Sequence, residues 1–299
     1  MQSDDITTRK IYIQSKERAT GSVSNWVTEL PYSVPLPANA CCWVTDLSLP
    51  HSWLTVDAQG DKVWLMERYE TSGGTQIRRF TTVTLPHRNY NAFEMAVELK
   101  LVLDAGTQIP ATTVYTVVYQ SETNNFLISL TSTETDPGFR FVPDAVLKSL
   151  AFRTAVGGTY SLSAPSSVNE VLGIADYDGA AAALLNEWNN VGPMLTSFTT
   201  GFCDMRRVHS LFLHSTALGT FKTIGPNATS TVIRRIPVTS SYSEILYSEG
   251  ASHHLDFLEP PRDIRTLDFQ IRDGRGRDVD MQNAAAGISF SLIFAEKPL

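Results

Sequence analysis

Charge is what this sequence has least of. Asp, Glu, Lys and Arg make up 18% of its 299 residues, against about 25% in an ordinary soluble protein. A chain so poor in charge hides much of its surface, often against other subunits. A basic excess is missing as well: 24 basic and 31 acidic side chains leave a net charge of -7. That balance argues against a protein that grips a phosphate backbone, so no direct nucleic-acid partner is expected. Cysteine is scarce. Cys41, Cys42 and Cys203 are too few and odd in number for a disulfide framework. Adjacent Cys41 and Cys42 would point to opposite faces of a strand, which makes buried, reduced thiols the expectation, in a protein assembled in cytosol or nucleus. No apolar run reaches a membrane span: the longest, 284–294, covers about half of one. The first residues carry Asp4 and Asp5 and no apolar h-region, so no secretory signal is read there. Asn227-Ala-Thr229 then matches a glycosylation sequon by chance.

Catalytic signatures are also missing. The chain has no P-loop, GxGxxG, GxSxG, HExxH or EF-hand loop. Its six histidines, at positions 51, 87, 209, 214, 253 and 254, are scattered. His209 and His214, five apart, would face opposite ways on one strand, and loop or surface positions are expected for the set. Arg272-Asp-Gly-Arg-Gly-Arg-Asp278 could be taken for a phosphate cradle, but the strand before it makes a hairpin tip the better reading. Asp278 and Asp280 alone are a poor calcium set, and Asp176 and Asp178 read as loop and cap residues. The expectation is no catalytic, metal or cofactor-binding residue, hence no enzyme. Trp26, Trp43, Trp53 and Trp64 fall within 40 residues. A lectin would expose such rings to sugars, but on alternating strands they read as core.

What the chain does have is short strands. Lys10–Ile13, Trp26–Leu30, Cys41–Leu49, Val63–Tyr69, Arg79–Leu85, Val114–Tyr119 and Phe126–Leu130 qualify, as do Ser210–His214, Thr231–Ile236, Glu244–Tyr247, Leu267–Ile271 and Ile288–Phe294. In the second of the longer runs Trp43, Thr45, Leu47 and Leu49 would share one face. In the last, Ile288, Phe290, Leu292 and Phe294 should face the core. Helices are few. Asn91 as N-cap with Glu94 three residues on opens one over 92–103, with Met95, Leu99 and Val102 as its apolar stripe and Gly106 past its end. A second is expected over 180–188, anchored by Leu184, Leu185 and Trp188, and a short turn after Pro143-Asp144. The pattern predicts an all-β sandwich or barrel whose first and last strands come from the two chain ends, with a small α+β insertion. The expected division is an N-terminal arm over 1–20, a sandwich over 21–85 and 196–299, and an insertion over 86–195 built on Met95, Leu99, Val102, Tyr119 and Phe126 and placed away from the sandwich.

The order of motifs resembles a known group. Ser15-Lys-Glu-Arg18, Ser24-Asn-Trp26, Glu29-Leu-Pro31, Val44-Thr-Asp-Leu47 and Leu49-Pro-His-Ser-Trp-Leu54 look like the opening of capsid proteins from virophages, polinton-like viruses and related large DNA viruses. Val83-Thr-Leu-Pro86, Asn89-Tyr-Asn91 and the helix after them resemble that group's strand–turn–helix unit, and 118–128 its next hairpin. Val171-Leu-Gly-Ile174, Ile236-Pro-Val238 and 269–279 resemble its later motifs in the same order, with Ile174 where the group has Phe and His87-Arg-Asn89 where it has a Gly-containing turn. The resemblance implies a jelly roll and a structural virion protein: the penton, five copies to a vertex, contacting the major capsid protein, with no catalytic residue to carry over and no transmembrane segment. Alternatives are another minor capsid or cement protein, or a carbohydrate-binding attachment sandwich. A cupin-like enzyme lacks its clustered His and Glu.

Overall fold

The computed structural model describes residues 9–36, 40–110, 112–148, 166–174, 195–218, 224–225, 228–249 and 263–296. The chain divides into two compact units, one made of Met1–Trp53 with Val208–Leu299 and the other of Leu54–Arg207. The first unit opens with β1 (Arg9–Gln14), β2 (Thr20–Gly21), β3 (Asn25–Pro35) and β4 (Ala40–Pro50). The second holds β5 (Lys62–Glu70), β6 (Gln76–Thr84), α1 (Ala92–Gly106), β7 (Val114–Gln120), β8 (Asn125–Thr131), β9 (Thr135–Phe141), the single turns α2 (Asp144–Leu147) and α3 (Asn169–Leu172), and β10 (Ser197–Thr199). The chain then returns to the first unit through β11 (Ser210–His214), β12 (Val232–Pro237), β13 (Ile245–Ser248), β14 (Asp263–Asp273) and β15 (Ser289–Glu296).

The first unit has two antiparallel sheets, ordered β1-β15-β4-β13 and β12-β11-β14-β3-β2. Setting aside the two-residue β2, eight strands remain, and their pairing follows one rule. The first pairs with the last (β1–β15), the second with the seventh (β3–β14), the third with the sixth (β4–β13) and the fourth with the fifth (β11–β12). This is one long antiparallel hairpin rolled up, and the pairings β15–β4 and β11–β14 are where the roll closes on itself. The fold is a jelly roll, and the second unit is carried on the connection between its third and fourth strands. Between the sheets lies an apolar core including Trp26, Leu47, Leu49, Leu211, Phe269, Phe290 and Phe294. Rings of Phe269 and Phe290 meet edge to face at 4.9 Å, and Trp26 lies 5.4 Å from Phe269. Arg234 on β12 reaches across the sandwich: its Nη1 donates to the Val44 carbonyl at 2.6 Å and its Nη2 to the Ser248 carbonyl at 3.1 Å.

Three expectations need correction. Of the expected arm, residues 9–20 are not an arm. Six residues of β1 pair with β15, Ile13 is buried, and Ser15 closes the corner, exchanging hydrogen bonds with the Ile288 backbone at 2.8 Å each. The apolar pair Ile11 and Ile13 suffices because one strand face is all that an edge strand must bury. Second, Trp43 and Thr45 do not share a face with Leu47 and Leu49. Asp46 sits at φ 48, and two residues of β15 there oppose three of β4, a bulge that inverts the alternation, so Cys42 and Val44 point inward ahead of it. Third, the insertion does not span 86–195: it runs from Leu54 to Arg207, and β10, expected in the sandwich, pairs with β8 inside it. The β5–β6 hairpin belongs to the second unit, whose own core joins Val63, Leu65, Val83 and Leu85 with Met95, Leu99, Leu103, Tyr115, Phe126 and Ile128.

The second unit has two three-stranded sheets, β6-β5-β9 and β10-β8-β7, with α1 packed on them. Its helix forms as expected. Asn91 and Glu94 make a reciprocal capping box, with Asn91 Oδ1 accepting from the Glu94 N–H at 2.9 Å and Glu94 Oε2 from the Asn91 N–H at 3.0 Å. At its far end Gly106 is required by close approach, since a Cβ there would stand 2.1 Å from Val83 Cγ1. The chain's way in and way out of this unit are bound together. The Arg207 guanidinium clamps the Asp57 carboxylate with two bonds, of 3.0 and 2.6 Å, and Thr55 Oγ1 donates to the Met205 carbonyl. The turn after Pro143 appears as α2, while the helix expected over 180–188 lies outside the described residues.

Candidate functional site

Chemistry-bearing side chains of the second unit are tied into the fold. Glu67, nearly fully buried on β5, is the acceptor for Thr81 Oγ1 (2.5 Å), Thr107 Oγ1 (2.6 Å), the Gln108 N–H (2.9 Å) and Tyr115 Oη (2.9 Å). Four donors from β6, the end of α1 and β7 replace the water that this carboxylate lost, which makes it a rivet between elements. Burial, with Glu67 alongside, pushes the Tyr115 phenol far up, so it stays a donor. Asp61, His87 and Ser166 contain the residue types of a hydrolytic triad in another order. His87 Nε2 lies 3.0 Å from Asp61 Oδ2, and Ser166 Oγ donates to Asp61 Oδ1 at 2.8 Å. A triad needs the hydroxyl on the imidazole; here both partners converge on the carboxylate. Burial raises the Asp61 carboxyl, but bonds from His87 and Ser166, with Lys62 nearby, outweigh it and hold it below the usual carboxylate range.

The remaining candidates fare the same way. His51 stacks on Trp53 at 4.0 Å, with Nδ1 2.9 Å from the Ser240 carbonyl, and His214 is buried with Nδ1 2.9 Å from Thr231 Oγ1. His51 lies in a loop, as expected, but is buried there, and His214 on β11 departs from the expected loop or surface placement; the sandwich offers each a polar partner inside. His209 is exposed, and His253, His254, Asp176 and Asp178 lie outside the described residues. Among the described residues no three His, Cys, Asp or Glu side chains are grouped to hold a metal ion. Asp273 accepts from the Arg275 and Arg277 N–H groups, and Asp278 from Gln270 and Arg272, so the 272–278 stretch is a hairpin tip. Asp280 accepts from the Gln282 N–H. All three cysteines are buried and none is in a disulfide, and burial pushes Cys42 up to about 12, which leaves it unreactive. Trp26, Trp53 and Trp64 are buried and Trp43 partly so, which fits core side chains and not a sugar platform.

The outer faces of the jelly roll offer more. Those of its two sheets differ in kind. On the sheet β12-β11-β14-β3 the outward positions include Glu29, Asp268, Arg272 and Arg235. Burial raises the Asp268 carboxyl, but donors from Thr216 and Ala217 hold it below the carboxylate range. On the sheet β1-β15-β4-β13 the outward rungs run Ala295–Cys41, Lys10–Ile293–Trp43, Tyr12–Ser291–Thr45, Gln14–Ser289–Ser48–Tyr247 and Pro50–Ile245, with Cys41, Ala295 and Ser291 buried and the exposed side chains at the margins. Lys10 is the one charged residue on these rungs, and it is engaged by the bulge residue Asp46 at 3.2 Å. Tyr12 is 74% exposed, Ile245 64% and Tyr247 57%. Sequence reading overlooked this face because Tyr12 and Tyr247 look like ordinary strand residues until the register shows which side they take.

No helix among the described residues is long and apolar enough to cross a membrane. No protein-family model matches the chain, and no curated protein matches it. Among solved structures it is similar to the mavirus penton protein, at 9% identity and a TM-score of 0.49, covering 98% of this chain and 100% of that one. It is also similar to a chain in the structure of the Sputnik virophage, at 12% identity and a TM-score of 0.44, covering 98% of each. The fold assignment rests on the strand pairings themselves.

Proposed function

We propose that this chain is a structural capsid protein of a double-stranded DNA virus, and within the capsid the penton, five copies forming a ring at each icosahedral vertex beside the major capsid protein. The observation that carries the reading is the eight-strand jelly roll with a whole second unit on the connection between β4 and β11, taken with the sequence motifs that follow the order of virophage-type capsid proteins. Viral shells use jelly rolls repeatedly, and so do lectins and cupins. Chemistry separates these readings. Cupin catalysis draws on clustered metal ligands, whereas Glu67, Asp61 and His87 serve hydrogen bonds within the fold. A sugar platform draws on exposed tryptophan, whereas Trp26, Trp53 and Trp64 are buried. The reading places the protein in the virion, after assembly in host cytoplasm or nucleus, with no contact to the genome required of a chain of net charge -7. It gives this chain the role that the mavirus penton protein carries in its name.

Native mass spectrometry of the purified chain tests the finer statement, and proteomics of purified virions the coarser one. Pentamers, with the chain present at about five copies per vertex, are expected. Absence from virions would overturn the capsid reading. A virion protein of another stoichiometry would make it a minor or cement protein instead.

A further inference from the structure

We infer that the outer face of the sheet β1-β15-β4-β13 is the surface on which a second copy of this chain docks; the inference rests on the capsid reading and names its subunit contact. Three observations lead to it. First, the face is apolar at its margins: Tyr12 stands out on the edge strand β1, and Ile245 and Tyr247 on the opposite edge strand β13. With β15 and β4 between them, these margins are about 14 Å apart. An occupant touching both must be broad, as a protein face is and a single sugar ring is not. Second, the strands span a footprint of about 400 Å² before side-chain relief is counted. That approaches the area each partner contributes to a small specific interface, about 600 Å², and Tyr12, Trp43 and Tyr247 are the residue types that anchor such interfaces.

Third, charge selects the partner. Each copy carries a net charge of -7, so two copies repel, and least where their meeting surfaces lack charge. On this face Lys10 and the bulge residue Asp46 neutralise each other at 3.2 Å, and no other outward rung position is charged. The opposite sheet, with Glu29, Asp268, Arg272 and Arg235, offers no such area. In a closed ring one surface meets a different surface of the next copy, so the face needs only an apolar counterpart, not its own mirror image.

The test is sedimentation velocity of the full-length chain over a concentration series, with wild type, Tyr12→Lys, the pair Ile245→Lys with Tyr247→Lys, and Arg235→Ser on the other sheet. All four positions are exposed, and circular dichroism with melting curves checks that each variant is folded. The expected result is a wild-type oligomer, association weakened at least tenfold by either lysine change, and no effect of Arg235→Ser. Folded lysine variants that associate like wild type would overturn the inference, as would a wild-type chain that stays monomeric at every concentration. Virion proteomics separates the two claims. A chain present in virions whose lysine variants still assemble loses only this surface, and a chain absent from virions loses the capsid reading even if it self-associates.

Discussion

Phe290 shows how directly some residues declare themselves. It alternates with serines on the closing strand, and the structure puts its ring against Trp26 and Phe269, 6.4 and 4.9 Å away. Phe290→Ala should cost about 3–5 kcal/mol through the cavity left behind, read as a fall in the denaturation midpoint of the jelly roll. An unchanged midpoint would mean that the ring is not packed as described. His214 gave no such signal. As one histidine among six scattered ones it looked like a surface residue, and only its position beneath Thr231 and beside Arg272 makes it special. Burial, helped by Arg272 and opposed by Asp278, lowers it from 6.5 to about 4. Above pH 6.5 the imidazole is neutral in both folded and unfolded chains, and nothing is gained or lost. Below 6.5 the unfolded chain binds a proton that the folded one refuses, so stability falls as the pH drops toward 4, by about 3 kcal/mol in all. Stability measured from pH 7 to 4 should show this loss, and His214→Gln should remove that part of it. Parallel pH curves for the two proteins would assign the acid sensitivity elsewhere.

At the scale of elements, what was legible is what local chemistry dictates. The capping box of Asn91 and Glu94 is written in four residues, and α1 begins where they place it. Asn91→Ala should cost about 1 kcal/mol, measurable as an earlier unfolding of the Leu54–Arg207 unit; a neutral substitution would show that tertiary packing alone fixes the helix start. The bulge in β4 was not legible. Nothing in Val44-Thr-Asp-Leu47 distinguishes a regular strand from one that takes an extra residue at a positive φ, because the cause is the register against β15, more than 240 positions away in the chain. The same distance hid β1. Two isoleucines between charged residues look like an arm until the partner strand is known. The Glu67 rivet was invisible in the sequence: its four donors come from three separate elements.

On the scale of the whole molecule, the sequence conveyed a sandwich with an inserted unit and misplaced where the insertion starts and where it ends. The hairpin of β5 and β6 alternates like sandwich strands, and what assigns it elsewhere is that Val63, Leu65 and Val83 share one buried cluster with residues of α1 and β7. The inserted unit is contiguous in the chain, has its own core, and is closed at its root by Arg207 and Asp57. It should therefore fold by itself. A fragment of residues 54–207 is expected to unfold in one cooperative transition, with Arg207→Ala lowering its midpoint because the partly buried carboxylate of Asp57 loses its partner. A fragment without native circular dichroism or a cooperative melt would show that the unit depends on the jelly roll.

The pairing of β1 with β15 also sets a schedule. A ribosome adds residues one after another, so β1 is made before the other strands of the jelly roll and its partner after them, and their ladder cannot form until all the strands between have been made. Residues 54–207 have no such wait, since every strand pairing among their described residues lies within them. During synthesis the inserted unit would be complete while β1, β3 and β4 were still single strands with apolar faces and open edges, the condition in which chains stick to one another. A stop codon before β15 would leave β1 and β4 without the strand that lies between them. Early termination should therefore yield a soluble, folded insertion tethered to strands that aggregate, rather than a smaller version of the same protein.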